Sequence, residues 1–349
     1  MTRLVSAGRA LALAALAAAM GLAGCADEPD STRLQFISLG TEVEIHILDA
    51  GDSDAEAAAK AARAEIDAIS EAWEPTRGSE LGPLNERLAA GEGMTVSKEL
   101  IAILERAREM EERTGGRFSP AIGGLTELWG FSAQDGPLAE PPPAEEIEAW
   151  VEQAPRIADL SWDADRYVTS SNDAVRIDLG GIGKGFAGER AMAALREQGV
   201  RTALISLGGD LIALGAPADR PWRMGVRDPR AGTVLAAVEA HADESVFTSG
   251  DYERTFTHED RRYHHILDPT TGYPAMGSRS MTVIHEDPVH ADAAATALFI
   301  AGPEDWRALA EALEIRYALL IDREGVVRMS EAMAERVELR GEPETVHVE

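Results

Sequence analysis

From Tyr167 onward the chain repeats one pattern: short runs rich in β-branched residues, each stopped by a glycine turn, with helical stretches near residues 187–198, 290–300 and 304–313 set among them. Interspersed strands and helices of this kind read as α+β, with mixed or antiparallel sheets. Upstream, residues 36–48 alternate well at Val43, Ile45 and Ile47, as a half-buried strand should, so folding starts near Leu34. An alanine-rich helix at residues 54–73 follows, then a Gly-Ser-Glu loop, then a second helix that Ser97 can cap and Gly115-Gly116 ends. Pro141-Pro142-Pro143 is a surface break before another short helix. The acidic tail, residues 341–349, reads as disordered.

With 349 residues, 45% of them hydrophobic, the chain can bury a full core, and its length suggests roughly two domain-sized units. A net charge of -28 argues against nucleic acid as a partner, because phosphate binding needs clustered Lys and Arg. Any anionic ligand then needs a local cation. At the N-terminus Arg3 and Arg9 precede an apolar run, residues 10–23, that is too short for a confident membrane span. The run ends in Leu22-Ala23-Gly24-Cys25, which resembles a bacterial lipoprotein processing site. The sequence therefore reads as a signal peptide over residues 1–24, a lipidated Cys25 with a tether to residue 33, and a folded domain over residues 34–340. Such an anchor implies attachment on the periplasmic side of a membrane through lipid alone, with Ala26 favouring the outer membrane. The plainer reading is an ordinary signal peptide followed by an incidental thiol.

Three constellations carry chemistry. The segment His264-His265-Ile266-Leu267-Asp268-Pro269-Thr270-Thr271-Gly272 sets ionisable side chains beside turn-forming residues. The run Asp178-Leu179-Gly180-Gly181-Ile182-Gly183-Lys184-Gly185, read as lying between a strand ending near Leu179 and a helix starting by Ala187, lets backbone N–H groups approach an anion, with Lys184 as the local cation. A Walker loop fails here, because Asp178 and Gly185 stand where glycine and a hydroxyl residue are required. Gly183, Gly185 and Gly188 do spell the dinucleotide fingerprint, with Asp210 at a plausible distance, so a Rossmann dehydrogenase is a rival reading. In the third constellation an alanine-rich helix puts Asp292 and Thr296 on one face at i, i+4, where a carboxylate and a hydroxyl can share a hard cation. The plain alternative makes Asp292 a first-turn acid and Thr296 a core residue.

These segments, in this order, resemble the ApbE family of FAD:protein FMN transferases. Ser79-Glu80-Leu81, Leu128-Trp129-Gly130-Phe131, Leu207-Gly208-Gly209-Asp210 and Ser249-Gly250-Asp251-Tyr252 agree as well. The resemblance implies a single domain of two interleaved α/β lobes that moves the FMN half of FAD onto a threonine of an exported flavoprotein, such as a subunit of a membrane redox complex, releasing AMP. It implies Mg2+ held by Asp292, Thr296 and the Gly183 carbonyl, and His265 as the base. It sketches a FAD pocket from Leu39, Trp73, Arg117, Phe118, Ser119, Gly180, Gly181, Lys184, Phe186 and Ile266. His258, His264, His285 and His290 read as surface or packing residues. Ser119 departs from the family, where aspartate is common, and Gly183 stands where alanine is common. A magnesium-dependent FAD pyrophosphatase and a non-catalytic FAD-binding lipoprotein are the alternative readings.

Overall fold

The computed structural model describes residues 31–49, 51–73, 79–132, 138, 140–218, 220–341, 343 and 345–349. The signal segment, Cys25 and most of the tether lie outside the described residues. No helix among the described residues is long and apolar enough to cross a membrane.

A nine-stranded sheet runs in the order Thr32–Ser38, Thr41–Ile47, Ala203–Leu207, Asp210–Leu214, Ser245–Gly250, Ser278–His285, Tyr317–Asp322, Val327–Met329 and Val346–Val348. All neighbours pair antiparallel except the last two, so the class expected from the pattern of short strands and turns, α+β with mainly antiparallel sheets, is the one observed. The helices Asp52–Trp73, Gly183–Glu197 and Pro288–Ala312 share the main hydrophobic core with this sheet. Ala55, Ala58, Ala59 and Ala62 are buried, so the first of these helices lies close against the second. A smaller sheet of Trp222–Arg227, Val234–Ala240 and Val337–Leu339 forms a second apolar cluster with residues of the large sheet. A third cluster is aromatic: Trp129, Phe131, Trp150, Phe256 and Tyr263 seat the hairpin of Thr255–His258 and Arg261–His264.

Several elements differ from the sequence reading, each for a local reason. The single strand expected over residues 36–48 is a hairpin, turned at Leu39 (φ 52°) and Gly40 (φ 69°). Two left-handed residues suit a twisted two-residue turn, but leucine there gives no turn signal in sequence. The strand after the turn does bury Val43, Ile45 and Ile47 as expected. Ser79-Glu80 leads at once into a helix, Leu81–Ala89, with Leu84 and Leu88 buried on its inner face; Gly82-Pro83 obscures it, although proline is tolerated in a first turn. Ser97 caps Lys98–Arg113 as expected, its Oγ accepting from Leu100 N at 3.1 Å. The glycine run follows an irregular segment, with one isolated bridge from Arg176 to Ile122 in place of a strand, and its helix begins at Gly183. The two helical stretches expected after residue 290 are both present within Pro288–Ala312, separated at the non-helical Gly302 (φ 66°), with Asp287 capping the first. The tail is not disordered throughout: Val346–Val348 pairs parallel to Val327–Met329, and Glu349 accepts from Arg328 at 3.0 Å.

Candidate active site

One open cleft collects most of the candidate residues. Its walls include Arg117, Phe118, Ser119, Gly180, Gly181, Lys184, Ser249, Arg254, His265, Ile266, Asp292 and Thr296. These come from segments far apart in the chain, so the cleft exists only in the folded molecule.

The His264–Gly272 segment is mostly scaffold around one imidazole. His264 is buried; its Nε2 bonds Ala275 O at 3.1 Å and its Nδ1 accepts from Ile266 N at 3.3 Å. That pattern needs a neutral ring protonated on Nε2, and burial does push the pKa of His264 down to about 4. Asp268 Oδ1 accepts from Thr270 N at 2.8 Å, Gly272 turns with φ 73°, and Trp129 Nε1 donates to Gly272 O at 2.9 Å. His265 is anchored by its backbone, its N donating to Arg254 O at 3.1 Å, and its ring meets Phe131 edge-on, 6.5 Å between centroids. Its Nδ1 is buried without a hydrogen-bond partner in the structure. Burial, then the neighbouring Arg254 charge, lowers its pKa to about 3, so the ring is neutral near pH 7.

The glycines divide into two kinds. Gly180 and Gly181 line the cleft: Gly180 N donates to Asp178 Oδ1 at 2.8 Å, and a β-carbon on Gly181 would lie 3.2 Å from the Phe118 ring and 3.3 Å from Thr296 Oγ1. Gly185 and Gly188 are inside the helix and serve packing. A β-carbon on Gly185 would meet Pro288 O at 2.3 Å, and one on Gly188 would meet Ile212 Cδ1 at 1.9 Å. The literal G-x-G-x-x-G spacing is therefore a helix-packing pattern, which removes the dinucleotide fingerprint as a phosphate cradle.

Close helix packing brings Asp292 to the N-terminus of the glycine-bearing helix. Its Oδ2 accepts from Gly185 N at 2.9 Å and it is only 5% exposed. Burial raises its pKa to about 7, with Lys184 opposing and Asp210 adding to the rise. Thr296, one turn on, bonds Ser249 through its hydroxyl at 3.1 Å. Among the described residues no cluster of three His, Cys, Asp or Glu side chains could hold a metal. A buried carboxylate beside two hydroxyls instead suits a hard cation that takes its remaining oxygens from elsewhere, so the donor set fits magnesium.

Lys184 is not the free cation that the sequence suggests. Its Nζ is ion-paired with Asp210, whose other oxygen accepts from Thr248 N at 2.8 Å. Burial opposes its charge, but Asp210 and then Asp292 outweigh burial and hold its pKa above the ordinary lysine value. Ser119 Oγ is likewise committed, donating to the buried Glu111 at 2.5 Å. Leu39, Trp73, Gly183 and Phe186 do not line the cleft. Leu39 sits at the hairpin turn, its N donating to Ser70 Oγ at 3.0 Å, while Trp73 and Phe186 are buried with their rings packed together, 5.1 Å between centroids. Ser249 and Arg254 carry contacts in the site to which sequence reasoning gave no role, and Asp210, weighed only as part of the dinucleotide fingerprint, instead pairs with Lys184 and Thr248 N; the motifs holding Asp210 and Ser249 agree with the resemblance, but their partners are set only by tertiary contacts.

Comparison with known proteins agrees with this arrangement. The model of the ApbE family matches residues 39–320. Over 336 residues the chain is 38% identical to the FAD:protein FMN transferase of Rhodobacter capsulatus, covering 93% of this chain and 62% of that protein's length. It is 35% identical over 272 residues to the FAD:protein FMN transferase of Treponema pallidum (strain Nichols), covering 74% of this chain and 75% of that one. The crystal structure of the ApbE protein of Thermotoga maritima superposes with a TM-score of 0.81 at 32% identity, over 88% of this chain and 99% of that one.

Proposed function

Because the chain belongs to the ApbE family, we propose that its cleft binds FAD and transfers the FMN half to a threonine hydroxyl of an exported acceptor protein, releasing AMP. The observation that carries this reading is the convergence of His265, Asp292, Thr296 and the Gly180-Gly181 turn on one cleft. A protein that only stored flavin would need neither a neutral imidazole with an unpartnered nitrogen nor a buried carboxylate at the same wall.

In the step we propose, the threonine oxygen attacks the phosphorus of the FMN half. The new oxygen–phosphorus bond forms as the bond to AMP breaks, and AMP leaves with the electron pair. A threonine hydroxyl is a poor nucleophile near neutral pH, so His265 takes its proton during attack. Gly180 and Gly181 offer a wall without side chains where the pyrophosphate approaches backbone. Asp292 and Thr296, both on the cleft wall, are the groups that would hold magnesium, which would supply neutralising charge to the pyrophosphate.

The same reading attaches the chain through an acylated Cys25 to the periplasmic side of a membrane, the outer one favoured, on the strength of Leu22-Ala23-Gly24-Cys25. Its acceptor class is the flavin-bearing subunit of a membrane redox complex. Quantifying nucleotides after incubation with FAD and magnesium tests the chemistry. AMP release that requires the acceptor domain is expected; equal AMP and free FMN without acceptor would instead identify a pyrophosphatase, and intact bound FAD a storage protein.

A further inference from the structure

We propose that Arg254 is a catalytic residue of this transfer, its guanidinium contacting the phosphoryl group as the threonine attacks; the inference rests on the transferase reading above. Among the described residues, the permanently cationic side chains at the cleft wall are Arg117, Lys184 and Arg254. Arg117 is ion-paired with Asp305, and Lys184 with Asp210. Arg254 is exposed and has no carboxylate within ion-pair distance among the described residues, although Asp178 and Glu253 share its cleft. Its side-chain hydrogen bond is to a neutral group, from Nη1 to Phe131 O at 3.1 Å, which leaves donors free.

Placement supports the same role. His265 N donates to Arg254 O at 3.1 Å, which extends the hairpin ladder by one pair beyond Thr255 and His264. Residues paired across an antiparallel ladder send their side chains to one face, so the guanidinium and the imidazole arise side by side. On the other flank Nη2 would lie 3.9 Å from a β-carbon on Gly180, which puts the guanidinium against the glycine turn. In a chain of net charge -28, Arg254 is thus the cation left available to an incoming pyrophosphate. A planar guanidinium suits this task, since its forked donors match two phosphoryl oxygens as charge spreads over them in the transition state. Arg254 forms and breaks no covalent bond. The threonine oxygen–phosphorus bond forms, the bond to AMP breaks with its electron pair on AMP, and the proton passes to His265.

The test is single-turnover transfer by the full chain at saturating FAD, with Kd for FAD measured separately from flavin fluorescence. Arg254→Gln is expected to lower the transfer rate by about 10²–10³-fold, the range for loss of one preorganised donor, while Kd changes far less. Added guanidinium should restore part of the rate to Arg254→Ala, which a purely structural role would not allow. An Arg254→Gln rate within about 3-fold of wild type overturns the proposal, as does a loss confined to FAD affinity. If the Gln variant does not fold, Arg254→Lys, which keeps the charge without the fork, carries the same test through a smaller drop in rate. Wild type run alongside separates the two readings: if it transfers no FMN the transferase reading fails, whereas an active Arg254→Gln beside an active wild type sinks only this one.

Discussion

His264 and His265 are neighbours with opposite duties, and the difference lies in what their nitrogens touch. His264 has both nitrogens bonded and braces the loop, while His265 has a free Nδ1 and faces the cleft. Because His264 is buried neutral, its folded pKa of about 4 lies below its ordinary 6.5, so the unfolded chain takes up the proton first as pH falls. Its stabilising contribution is therefore complete above pH 6.5 and is lost between 6.5 and 4, a loss on the order of 3 kcal/mol at about 1.4 kcal/mol per unit. Urea midpoints across that window should fall more steeply for wild type than for His264→Gln, and parallel curves would contradict the assignment. Asp292 also separates chemistry from structure. Asp292→Ala removes a charge but strands Gly185 N, costing about 1–3 kcal/mol, whereas Asp292→Asn can keep an acceptor there. Asp292→Asn should therefore keep its thermal transition while losing magnesium-dependent turnover by at least about 10²-fold. At this scale His265, Asp292 and Thr296 were legible because motif and spacing both mark them. Arg254 was not, since its relation to His265 appears only once the hairpin pairs them.

Among the elements, the helix Gly183–Glu197 does most to assemble the site, and its glycines make separable demands. A β-carbon on Gly183 would make only ordinary contact, 3.9 Å from Leu179 Cβ, so Gly183→Ala should be neutral or stabilise by up to about 1 kcal/mol and keep activity. Gly185→Ala drives a methyl into the backbone at Pro288, so the two helices must separate where Asp292 is held. Denaturant titration should show a loss of at least about 1–3 kcal/mol, with activity falling alongside. Equal behaviour of the two variants would contradict this division. Element boundaries were legible where caps and periodicity agree, as at Ser97 and through the alanine-rich helix. They were illegible where a residue broke its own rule: Leu39 in a left-handed turn, proline in the first turn of Leu81–Ala89, and glycines packed inside a helix.

For the whole molecule, the α+β class followed from short strands and turns, but the strand order did not. The nine-stranded sheet joins residues from both ends of the described chain, an arrangement no local signal specifies. Its final strand gives a direct check: removing residues 341–349 deletes the pairing with Val327–Met329 and the Arg328–Glu349 bond, and should lower the unfolding midpoint by the equivalent of roughly 1–2 kcal/mol. An unchanged midpoint would mean that this strand is dispensable. The site, by contrast, depends on the whole architecture, because His265, Asp292, Thr296 and the Gly180-Gly181 turn are distant in sequence and meet only across the packed helices and hairpin. The most direct measurement is intact-mass spectrometry of a periplasmic flavoprotein domain incubated with the chain, FAD and magnesium. A mass gain of one FMN less water, abolished by EDTA, is the expected result; an unmodified acceptor beside consumed or intact FAD would contradict the transferase account.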